Sequence, residues 1–179
     1  MSIHEMLQQL EGEGKLVRFL PPDGVAEKRQ LFLTSGLYQE FSDRRSSFNF
    51  FGQMPAARIA FGRWVTGNLV TVRLGLGNTG AELARLEPPP EEIWEFRITE
   101  PVPQLRVFAR FAAPDILVAT AAVNRDRLGR AFSRSQKQNK AWTEAMYGCI
   151  SEWTRLFGRT EAFRGRVIAD YVSENCLGP

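Results

Sequence analysis

The chain has 179 residues, 44% of them hydrophobic and 24% charged, a size and composition that fit one globular domain over residues 1–179. No run of about 18 apolar residues is present and the start, SIHEMLQQLEGEGK, lacks the basic-then-apolar layout of a secretion signal, so a membrane span is excluded and a cytoplasmic location is expected. The net charge is +3, His4 is the only histidine, and Cys149 and Cys176 share no CxxC spacing, so a thiolate–imidazole metal site is not expected, a histidine triad would have to rest on His4 near the terminus, and no metal or cofactor is assigned.

Ser2 followed by Glu5 fits a capping box, and Ile3, Met6, Leu7 and Leu10 lie on one helical face that Gly12 and Gly14 end. Residues 25–41 predict a second helix with Gln30, Leu33, Leu37 and Phe41 on one side. Phe48, Phe50 and Phe51 beside Arg44 and Arg45 read either as a stacking platform for a single strand or as a loop anchored to the core, and the anchor is preferred. Residues 1–56 thus form a helical and aromatic extension ahead of a sheet-plus-helix core at 57–179. Residues 57–65 and 69–76 predict two strands of a hairpin around Thr66-Gly67-Asn68. Gly75, Gly77 and Gly80 do not have the spacing of a phosphate loop and read as turns.

Three strands follow. Trp94, Phe96 and Ile98 alternate with Glu95 and Arg97, and Leu105, Val107, Ala109 and Phe111 alternate with Arg106, Phe108 and Arg110. Residues 116–123 are apolar on both faces, which predicts the most buried strand. Trp142, Met146, Cys149, Ile150, Trp153, Leu156 and Phe157 make one face of a helix over 141–157, with Cys149 a core residue, and Val167, Ala169 and Tyr171 suggest a last strand. The expected fold class is α+β: a curved antiparallel meander packed by an amphipathic C-terminal helix, with helices ahead of it.

Charge is uneven. Residues 121–166 carry ten Arg or Lys against four acids, a local +6 that suits a polyanionic partner. Arg130, Arg134, Lys137 and Lys140 are the candidate nucleic-acid contacts; a solvated basic loop is the plainer reading. Asp115, Asp126 and Asp170 could in principle hold Mg²⁺ but have no recognisable spacing.

Glu95-Phe96-Arg97 on one strand, Arg106 opening the next, and Arg125 and Arg127 after the third resemble the RelE/ParE superfamily of bacterial toxins over residues 91–130. That resemblance implies a curved sheet with helices and a metal-independent endoribonuclease acting on ribosome-bound messenger RNA, with Arg97, Arg106, Arg125 and Arg127 as the matching catalytic positions and an antitoxin-like protein as partner. The chain departs from the family in its greater length, in having arginines around Asp126 where the family has lysines, and in lacking a helical hairpin directly before Glu95. Arginine stabilises phosphate charge but is a poor base, so cleavage would need Lys137, Lys140 or Tyr171 nearby. The alternative is a non-enzymatic module that docks on a protein, such as a phage or accessory factor.

Overall fold

The computed structural model describes residues 1–75, 80–87, 91–128 and 140–178, the side chain of Phe50 excepted. Helix α1 (Ile3–Gly12) starts where the capping box places it, Ser2 Oγ accepting from the Glu5 N–H and the Glu5 carboxylate accepting from the Ser2 N–H at 2.6 Å. It is followed by β1 (Leu16–Arg18), β2 (Gln30–Thr34), α2 (Ser35–Ser42), α3 (Ser47–Phe50), α4 (Gln53–Val65), β3 (Val70–Arg73), β4 (Leu83–Arg85), β5 (Trp94–Ile98), β6 (Leu105–Ala113), β7 (Ile116–Asn124), a 3₁₀ turn (Arg125–Leu128), α5 (Lys140–Phe157), α6 (Ile168–Tyr171) and β8 (Cys176–Leu177). The class is α+β.

The strands form one eight-stranded sheet in the order β1-β2-β7-β6-β5-β4-β3-β8. The meander β5–β6–β7 is antiparallel as expected, and it continues antiparallel into β4 on one side. On the other side β2 pairs parallel with β7, and β3 pairs parallel with both β4 and β8.

Strand alternation sorts the apolar residues onto two faces, and helices cover both. Trp94, Phe96, Val107 and Phe111 face α2 and α4, which supply Leu37, Phe41, Phe61 and Trp64. Phe111 is the hub of that face, with the rings of Trp64, Trp94 and Tyr171 centred 6.1, 5.0 and 5.1 Å away. On the opposite face Phe32, Ile116 and Val118 meet α1 and the Trp153–Phe157 end of α5, while Phe108 meets Trp142, Met146 and Cys149. Each fully buried side chain of this size contributes about 1.5–3 kcal/mol, so the sheet is stabilised from both sides.

Four sequence expectations are corrected. Residues 25–41 hold β2 and then α2, because Leu31, Phe32 and Leu33 are buried in succession and Thr34 Oγ1 accepts from the Leu37 N–H to start the helix. Residues 57–65 belong to helix α4: Met54, Ala57, Phe61, Trp64 and Val65 are buried at helical spacing, and no hairpin forms because the partners of β3 are β4 and β8. Residues 168–171 are helix α6, with only Cys176–Leu177 as a strand. The most buried strand is β6, buried at all nine positions, whereas β7 emerges at residues 121–123. In α3, Phe48 packs edge-on against Phe41 as an anchor, while Phe51 just beyond the helix is exposed.

Helix α5 bears out the expected stripe, and Cys149 on it is fully buried. Burial pushes its thiol up to about 11. Native protein at pH 8 is therefore expected to react with a thiol reagent once per chain, at the partly exposed Cys176, and twice in urea. Two fast thiols in the native state would contradict this packing.

Candidate functional site

The candidate site is a row of charged residues across the α5 side of the sheet. Parallel pairing sets Arg73 of β3 beside Ala84 of β4; antiparallel pairing sets Ala84 beside Glu95 of β5, and Arg97 beside Arg106 of β6. Residues opposite one another share a face, and Arg97 lies two positions from Glu95, so all of these side chains leave the sheet on the same side, away from Trp94 and Phe96.

Arg97 and Arg106 stand directly opposite, a repulsive placement for like charges. Glu95 relieves it. Its Oε1 lies 2.6 Å from Arg97 Nε and its Oε2 lies 3.1 Å from Arg106 Nε. The carboxylate is only 2% exposed, so the three charges interact at low dielectric and the arrangement depends on all of them. Arg106 also donates to the Leu105 carbonyl and, through Nη2, to Gln104 Oε1, both at 3.1 Å. Burial lowers the pKa of Arg106, Glu95 opposes that, and Arg97 and Arg125 reinforce it.

Gln104 brings Arg125 to the same place. Its carbonyl accepts from the Arg125 N–H at 2.7 Å while its side chain accepts from Arg106, and the Arg125 guanidinium sits over the Trp142 ring at 5.6 Å. Of the four candidate catalytic arginines, the structure therefore unites Arg97, Arg106 and Arg125. Arg127 is not among them: it is exposed on the 3₁₀ turn, and its charge acts on Glu40 of α2. Lys140 begins α5 with its side chain 89% exposed, 3.7 Å from Glu144. Arg130, Arg134 and Lys137 lie outside the described residues.

Of the expected proton-transfer partners, Lys140 is exposed, Lys137 lies outside the described residues, and Tyr171 is away from the arginines. Tyr171 is on the other face, stacked among Trp94 and Phe111, its hydroxyl donating to Glu92 Oε2 at 2.7 Å; burial, then Glu92, pushes its pKa up. Glu92 is itself held by Arg85 at 3.4 Å and Arg164 at 3.8 Å, so this network ties the C-terminal segment to the sheet. The three aspartates serve backbone geometry. Asp115 accepts from the Ser173 N–H, Asp126 from the Arg127 N–H, and Asp170 from those of Arg166 and Val167, which lowers the pKa of Asp170. Among the described residues no group of three or more His, Cys, Asp or Glu could hold a metal ion, and no helix is long and apolar enough to cross a membrane.

Sequence reading missed Arg73 as a site residue. Its signal was the alternation of Arg73 against Val70 and Val72, which puts it on the polar face, but its place in the row depends on the parallel β3–β4 register. Arg110, on the same strand face as Arg106, is a packing residue: it donates to the Glu91 carbonyl at 2.7 Å and lies over Trp153 at 5.1 Å. No family model, curated protein or solved structure matches the chain.

Proposed function

We propose that the chain is an RNA- or ribosome-binding protein of RelE-like architecture that holds phosphate through Arg97, Arg106 and Arg125, and that it binds without cleaving. The observation that carries this reading is the gathering of guanidiniums: Arg97 and Arg106 share the carboxylate of Glu95, and Arg125 acts on Arg106 beside them. A guanidinium fork fits phosphate oxygens, and binding releases the counterions that the phosphates had condensed. The +6 of residues 121–166 extends the same sign of charge along the chain that follows the sheet. Against cleavage stands the placement of two of the three proton-transfer candidates, with Tyr171 buried on the opposite face and Lys140 turned to solvent beside Glu144.

Titrating a fluorescent single-stranded RNA at several salt concentrations tests this. With three phosphate contacts, affinity should fall about 20-fold between 50 and 200 mM salt, and Arg125→Ala should reduce the salt slope by about 0.7. Affinity that ignores salt over this range would sink the proposal and favour docking on a protein partner.

A further inference from the structure

We infer that Arg73, Arg97 and Arg106 form a seat for a dianionic phosphate monoester, the terminal phosphate of a nucleic-acid strand; this deepens the RNA-binding reading and rests on it. Arg73 is the reason. It is 9% exposed, its Nε has no hydrogen-bond partner, and no carboxylate among the described residues lies within ion-pair distance of it. A buried guanidinium ordinarily has a bidentate partner, because its desolvation is otherwise uncompensated. Glu95, the carboxylate of its row, already forms ion pairs with Arg97 and Arg106.

The row geometry places that vacant donor beside the cluster. One residue, Ala84, separates Arg73 from Glu95 across the strands, and it contributes only a methyl group, so neighbouring strands set the two backbones about 10 Å apart with no larger side chain between them. Arg73 and Arg97 repel at this range, which with burial lowers the pKa of Arg73, while Glu95 and Glu87 attract it. Arg73 and Arg97 act on one another here, Arg97 and Arg125 both act on Arg106, and Glu95 acts against both Arg73 and Arg106. A phosphodiester offers such a row of guanidiniums one negative charge, whereas a phosphate monoester above its second pKa of about 6 offers nearly two. It also has three terminal oxygens, enough for one from each arginine fork. Arg97, at 17% exposure the most open of the three, marks the side from which a strand end would reach the seat.

The test uses the full chain near neutral pH. Thermal unfolding is followed in sodium phosphate and in sodium chloride of equal ionic strength, and one RNA oligonucleotide is titrated with a 5′-phosphate, a 3′-phosphate or hydroxyl ends. Stabilisation by phosphate over chloride is expected, together with at least about tenfold tighter binding of one or both phosphorylated oligonucleotides than of the hydroxyl form. The preferred end identifies the source. Arg73→Met should abolish the preference, and Arg73→Lys should keep part of it. Equal affinity for all three oligonucleotides, with no stabilisation by phosphate, overturns the seat and leaves RNA binding standing. Stabilisation by phosphate with no RNA bound keeps the seat and removes the RNA reading; neither effect removes both. Should Arg73→Met fail to fold, the wild-type comparisons decide alone.

Discussion

Glu95→Ala is expected to lower the unfolding free energy by about 3–5 kcal/mol. The carboxylate is 2% exposed and its two oxygens keep apart two arginines that the strand register sets face to face. Removing it leaves two poorly solvated guanidiniums that repel one another and have lost their shared carboxylate. Urea unfolding measures the loss, and in a domain of this size each kcal/mol corresponds to about 2–4 °C in melting temperature. The triple replacement Glu95→Leu, Arg97→Leu, Arg106→Met should restore much of the stability, because an apolar trio avoids the cost of desolvating three charges. A loss from Glu95→Ala below about 1 kcal/mol would mean that the pair is solvated and worth no more than a surface ion pair.

Arg29→Met carries the second large effect, about 2–4 kcal/mol, because a buried charge holds several backbone carbonyls at once. Arg29 is 3% exposed and lies over the Trp64 ring at 4.9 Å. It donates to the carbonyls of Asn68, Glu174 and Asn175 at 3.0, 2.5 and 3.3 Å and stands 3.7 Å from Asp115. It thus clamps the end of the chain beside β3. The variant should melt earlier and, below that temperature, expose the residues after Val172 to proteolysis before the rest of the chain. Uniform cleavage across the chain would show that the clamp does not act locally.

Elements with an unbroken period were legible in the sequence. The capped stripe of α1, the alternation of β5 and β6, and the seven apolar positions of α5 each specify their structure locally. Helix α4 was hidden by chance: Ala57, Ile59 and Phe61 against Arg58 imitate a strand, yet Ile59 is 67% exposed and the true stripe runs through Met54, Ala57, Phe61 and Trp64. Strand β2 was hidden because it is buried on both faces, which removes its period, and because α2 follows it without a loop. In the site, Arg97 and Arg106 were visible as polar positions on apolar strands. Glu95 as their shared counterion and Arg73 as their neighbour depend on register between strands, which no local pattern encodes. Arg125 and Arg127 looked equivalent in sequence, and the 3₁₀ turn separates them, one over Trp142 and one in solvent.

The strand order also has a kinetic consequence. Pairings β3–β4, β4–β5, β5–β6 and β6–β7 all join strands that are neighbours in sequence, so the whole row from Arg73 to Arg106 lies in a segment, residues 70–124, that can zip up by short loop closures. The flanking pairings are remote: β2 reaches β7 across more than 80 positions, and β3 meets β8 across more than 100. Slow folding steps are therefore expected in the flanks, with the pairing that assembles the charged row preceding them. Substitutions in the row should act on the folding rate, and those at Arg29 or β8 chiefly on the unfolding rate.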